Sequence, residues 1–159
     1  MTSTVTYPSA LVPGPPQIHL EVPDGWTQVW APDTLVAVRD GARGADHFLA
    51  NLVVRHYQRL APFGPDEIHA ELAEYVAQRQ EGKLGVLKHQ EIDGREYVGA
   101  DLAFIDGEAG TVGQVHWFTA QRQNDVLDVI QVTGSYAGAR REMDYGTIDR
   151  VVDSLRINP

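Results

Sequence analysis

The chain has 159 residues, 43% of them hydrophobic and 22% charged, proportions that support a packed core and argue against wholesale disorder. A formal charge of −9 argues against general affinity for nucleic acid or anionic lipid, both of which bind basic surface, and leaves Arg140-Arg141 as the one local basic pair. With no cysteine there are no disulfides, thiol nucleophiles, thiolate metal sites or cysteine-borne lipids.

Residues 1–16 contain Pro8, Pro13, Pro15 and Pro16, which remove backbone donors and favour extended chain. They predict a flexible arm, with residues 17–159 forming a single domain. The first residues have neither a positive region nor an apolar core, so they do not read as a signal peptide. No run approaches the roughly 20 apolar residues that cross a bilayer. The expectation is a cytoplasmic protein without membrane insertion.

Residues 17–22 alternate Ile18, Leu20 and Val22 with polar neighbours, the pattern of a half-buried strand. Pro23-Asp24-Gly25 supplies turn chemistry, and strands are predicted at 26–31 and 34–39, then a Gly/Ala/Asp-rich loop at 40–46. Residues 48–58 read as a long strand with Leu52, Val54 and His56 on one face and Asn51, Val53, Arg55 and Tyr57 on the other. The period then changes: Ile68, Leu72, Tyr75, Val76 and Arg79 form one stripe of a helix over 65–80. Pro65 suits the first helical position, Asp66 and Glu67 complement the dipole, and Gly82 reads as the stop.

Strands are predicted again at 84–92 and 96–105, joined at Asp93-Gly94. The next pair is the longest. Runs at 112–122 and 127–136 flank Asn124-Asp125, and a turn there sets Trp117 opposite Val132, Thr119 opposite Ile130 and Val115 opposite Gly134. The other face then pairs His116 with Thr133, Phe118 with Gln131 and Ala120 with Val129. Ile148, Val151, Val152 and Leu155 mark a second amphipathic helix over 144–156. Together these elements predict the α+β class, an antiparallel sheet of about six to eight strands flanked by two main helices.

Chemistry-bearing motifs are sparse. None of the six histidines pairs with another at i, i+2 or i, i+4, so no metal site and no cofactor is expected, and His56 and His116 read as partly buried sheet histidines. Nucleophile-elbow and phosphate-loop signatures are missing around Gly134-Ser135-Tyr136 and Gly107, Gly110 and Gly113. Asp101 sits in an apolar strand, where it is expected to reach solvent or pair with an arginine such as Arg95. Trp26, Trp30 and Trp117 are expected in the core beneath the helices. Tyr97, Asp101, Gln114, His116, Phe118, Gln131 and Thr133 are expected to share a mixed aromatic and polar sheet face, uncovered by any helix and available for contact. The alternative is that the 40–46 loop or the proline arm folds over it.

Val22-Pro23-Asp24-Gly25-Trp26 opening on a strand, the strand Ala50-Asn51-Leu52-Val53-Val54, one helix, a β-meander and a closing helix ending Val152-Asp153-Ser154-Leu155 resemble the PsbP-like superfamily. That superfamily includes the Ran-binding Mog proteins and the LpqN/LpqT-type lipoproteins, and the resemblance spans residues 17–157. It implies a mostly non-enzymatic binding or accessory module, with Pro23, Gly25 and Trp26 in structural roles. The lipoproteins' signal and lipid-bearing cysteine have no counterpart in this sequence, so anchoring is not implied, and there is no catalytic set to carry over.

Three functions follow as expectations. The first is a non-catalytic protein-binding or adaptor domain, accessory or chaperone-like, using the mixed face. The second is a small-ligand carrier or small enzyme with a pocket between the sheet and the 65–80 helix, with Asp101 or His116 as acid or base. The third is closure of a homodimer through the exposed face.

Overall fold

A computed structural model of the chain describes residues 1–41 and 48–158. In chain order the elements are β1 (Gln17–His19), β2 (Trp26–Val29), β3 (Val36–Asp40), β4 (Asn51–Leu60), α1 (Pro65–Ala77), β5 (Gln80–Leu84), β6 (Lys88–Ile92), β7 (Arg95–Asp106), β8 (Gly110–Gln123) and β9 (Val126–Ala137). A 3-10 turn at Gly138–Arg140, then α2 (Arg141–Asp153) and β10 (Arg156–Asn158), close the chain. The α+β class is as expected. An eight-stranded antiparallel sheet runs β2-β3-β4-β9-β8-β7-β5, with β6 also on β7, and β1 pairs with β10 in a small second sheet.

The central hairpin forms in the expected register, with Trp117 opposite Val132, His116 opposite Thr133 and Phe118 opposite Gln131. Asn124 takes the positive φ of 57° that the reversal requires, a conformation asparagine tolerates better than most residues. Asp93-Gly94 likewise turns β6 into β7, both residues at positive φ. Two features differ from the sequence reading. The predicted 84–92 strand is two short ones, β5 and β6, and a final strand, β10, follows α2.

α1 opens as expected, with Pro65 at its first turn and the Glu67 carboxylate accepting the Gly64 N–H at 2.8 Å. It ends at Ala77, before Gly82, which instead lies in β5. A Cβ at Gly82 would come within 2.1 Å of the Val76 carbonyl oxygen, so glycine is needed for β5 to lie against the end of α1.

The helices pack on opposite faces of the sheet, a correction to the expectation that both cover one apolar layer. α2 buries Ile148, Val151 and Val152 with Leu52, Val54, Trp117 and Val132, all 3% exposed or less. Its close approach needs Gly134, where a Cβ would stand 2.4 Å from Ile148 Cγ2. α1 buries Ile68, Leu72 and Val76 with Val98, Ala100, Leu102, Phe118 and Val129 on the other side. Side chains alternate along each strand, so the sheet carries two cores, one per face.

Trp26 and Trp117 pack as expected, but Trp30 is 86% exposed beyond the end of β2. Residues 1–16 hold no helix or strand. Pro13, Gly14 and Pro16 of this arm lie beside His56, Ile130 and Ile157, on the α2 side of the sheet, so the arm does not cover the His116 face. The other expected cover, the 40–46 loop, falls from residue 42 onward outside the described residues.

Candidate functional site

α1 lies over β5 and β7, toward one edge of the sheet, and leaves the central strands β4, β9 and β8 only half covered on that face. The step between helix and sheet is a cavity of about 660 Å³. Its floor is Asn51, Val53 and Arg55 from β4, Gln131, Thr133 and Ser135 from β9, and Gln114, His116 and Phe118 from β8; Leu72 and Tyr75 of α1, with Arg79 just past its end, form the opposite wall. That volume falls within the range of about 300–1,000 Å³ typical of small-molecule sites.

The polar floor is held by one connected set of hydrogen bonds. Gln114 Oε1 accepts from the Tyr75 hydroxyl at 3.0 Å and lies 2.8 Å from His116 Nε2, while Gln114 Nε2 donates to Ser135 Oγ at 3.1 Å. With Oε1 as acceptor, His116 carries its proton on Nε2. Its Nδ1 then accepts, from Gln131 Nε2 at 3.2 Å and from the Thr133 hydroxyl at 3.4 Å. Both ring nitrogens are therefore occupied. The Tyr75 ring meets the imidazole edge-on, with centroids 5.2 Å apart.

His116 is 2% exposed, and burial, followed by the charges of Arg55 and Arg79, pushes its pKa down to about 4. It is a neutral structural base at ordinary pH. The Arg79 guanidinium lies 3.3 Å from the Tyr75 ring centroid, donates to the Tyr75 carbonyl at 2.7 Å, and has Phe104 within 5.4 Å. Arg55 is half-buried on β4 and has no hydrogen bond or ion pair among the described residues. Glu71, the acidic group at the rim, pairs with Arg59.

Of the seven residues expected to share a face, Gln114, His116, Phe118, Gln131 and Thr133 come together here, but Phe118 is 3% exposed beneath Phe63 and forms floor, not contact surface. Tyr97 and Asp101 do not join them. Val98 stands opposite Phe118 and Ala100 opposite His116, which puts Tyr97 and Asp101 on the α2 side. Tyr97 is 1% exposed in the core there, and burial pushes its pKa up to about 12. Asp101 accepts from Lys88 Nζ at 3.0 and 3.1 Å and from the Tyr145 hydroxyl at 2.9 and 3.1 Å, in place of the expected Arg95 or solvent. Asp101 and His116 therefore cannot work as one acid–base pair, because the sheet separates them.

The sequence reading did not bring Tyr75, Arg79, Arg55 or Ser135 to this site. The signal lies in the residues: Tyr75 and Arg79 share the helix stripe, and Arg55 shares a strand face with Asn51 and Val53. The Arg140-Arg141 pair does not form a free basic patch. Arg140 grips Asp144 at 3.1 and 3.3 Å, and the Arg141 guanidinium stacks over Tyr145 at 4.9 Å. Among the described residues no group of three or more histidines, aspartates and glutamates is arranged to hold a metal ion. No helix among the described residues is long and apolar enough to cross a membrane.

An antiparallel sheet between two helices, with a polar half-covered cavity on one face, is an arrangement consistent with the PsbP-like fold. Neither a protein-family model nor a curated sequence matches the chain. Among solved structures, LpqN of Mycobacterium tuberculosis, described as involved in cell envelope biogenesis, superposes with a TM-score of 0.73 at 12% identity, covering 92% of this chain and 86% of that one. Cyanobacterial PsbP from Synechocystis sp. PCC 6803 gives 0.57 at 14% identity, over 96% and 98% of the two chains. The Saccharomyces cerevisiae Ran-binding protein Mog1p gives 0.55 at 13% identity, over 88% and 89%. At these identities the likeness shows the fold.

Proposed function

We propose that this protein is a non-catalytic binding or accessory module, and that its ligand sits in the cavity between α1 and strands β4, β9 and β8. The observation that carries the reading is the hydrogen-bonded floor. Gln114, His116, Gln131 and Thr133 satisfy one another, so the wall is rigid before any ligand arrives, which lowers the ordering cost of binding. The same bonding argues against acid–base work. A buried imidazole with both nitrogens engaged and a pKa near 4 has little drive to take a proton at neutral pH. The three structural neighbours are in keeping with a binding or accessory role, Mog1p being described as Ran-binding.

The test is a fragment screen by two-dimensional NMR. The expected result is binding that perturbs Tyr75, Gln131, Thr133 and Ser135 together and is abolished in Gln131→Trp, whose indole fills the floor. Fragments that bind elsewhere, or that still bind to Gln131→Trp, refute the assignment. A second reading, a protein partner, is favoured by one observation. The cavity shares Phe48, Asn51 and Val53 with a trough of about 490 Å³ over β3, lined also by Val29, Ala31, Ala37 and Arg39, a second surface that a peptide segment could occupy. Arg39→Glu abolishing partner capture while fragment binding persists would favour it.

A further inference from the structure

We infer that the cavity recognises a small organic oxyanion, with Arg55 reading its charge and the stacked Arg79 as second cation. The inference rests on the reading of the cavity as a ligand seat and adds the chemical class of what sits there. The first argument is charge placement. The chain as a whole carries a formal charge of −9, yet among the described residues the charged side chains lining this cavity are Arg55, Arg79 and Glu71, and Glu71 is neutralised by Arg59 outside the floor. Neither cavity arginine forms an ion pair among the described residues, although acidic residues outnumber basic ones by 22 to 13. Two partly buried guanidinium groups without a carboxylate cost desolvation that an incoming anion offsets.

The second argument is the geometry around them. Arg79 is fixed by stacking on Tyr75 and by its bond to the Tyr75 carbonyl through one nitrogen, which leaves its other N–H groups to bind. Among the described residues Arg55 spends none of its donors. A planar fork of this kind suits a carboxylate, phosphate or sulfonate better than an ammonium would. Both arginines line the same cavity as His116. The Ser135 hydroxyl accepts from Gln114 and keeps its own proton to give. The site thus offers donors to an anion and the apolar side chains Phe48 and Val53 to its organic part.

Two fluorescent probes of one skeleton test this, the anionic 8-anilino-1-naphthalenesulfonate and the neutral N-phenyl-1-naphthylamine. The expected result is preference for the sulfonate, weakened about tenfold in Arg55→Gln, as loss of a charge-assisted contact implies, and partly restored in Arg55→Lys, with the neutral probe within about twofold throughout. Thermal melts confirm that each variant folds. Equal affinity for both probes, unchanged by Arg55→Gln but lost in Gln131→Trp, overturns the anion assignment and leaves the ligand seat standing. Probe binding that survives Gln131→Trp, or binding of neither probe, overturns both.

Discussion

His116 makes stability depend on pH in a direction that can be worked out from its surroundings. Folded, the imidazole is neutral down to about pH 4, because burial and two facing arginines disfavour its charge; its ordinary value is 6.5. Between those values the unfolded chain binds a proton that the native chain does not. Stability from this group is therefore full above pH 6.5 and is lost as pH falls toward 4. Going from pH 7.5 to 4.5 crosses most of that window, and at about 1.4 kcal/mol per pH unit the loss is about 2–3 kcal/mol. Because His116 is 2% exposed, solvent screening takes little from this figure. The assay is urea unfolding at both pH values for the wild type and for His116→Gln, whose amide does not titrate. The carboxylates titrate alike in both proteins, so the difference between the two pH responses isolates the imidazole. Parallel losses in the two proteins would refute the reasoning. So would an imidazole proton resonance that titrates near pH 6.5 in the folded state.

Gly134→Ala should cost about 1–3 kcal/mol by chemical denaturation, because its Cβ meets Ile148 Cγ2. The cost should shrink in an Ile148→Ala background, and an unchanged cost would show that α2 does not seat there. Asp101→Asn removes a carboxylate shared by Lys88 and Tyr145, and the loss should be about 1 kcal/mol, since both ionic side chains are about a third exposed and the pair is screened. A loss above about 3 kcal/mol would mean a drier site than this one. Trp30→Ala should leave stability within about 0.5 kcal/mol, and a larger fall would mean that the indole is covered in solution.

Local pattern was enough to read the central hairpin, both helix stripes and the α+β class from the residues. A turn at Asn124-Asp125 determines every partner along its two arms, and spacings of three and four name the residues a helix must bury. The fate of Tyr97 and Asp101 was not legible in the same way, because it hangs on one loop length. Asp106 pairs with Gly110 across a three-residue connection, so even-numbered residues of β7 face even-numbered residues of β8. A loop with an even number of residues would have put Tyr97 and Asp101 beside His116. The Gly- and Glu-containing segment there does not announce which it will be.

Sequence alone thus determined which side chains go inward on each element, because burial periodicity is a property of the strand or helix itself. Only the tertiary structure decided which face of the sheet each helix covers. A helix stripe is equally satisfied against either apolar layer, and the choice depends on how far α1 is carried toward β5 and β7 before the chain returns. That offset leaves Arg55, Gln131, Thr133 and Ser135 beside Tyr75 and Arg79 with a space between them.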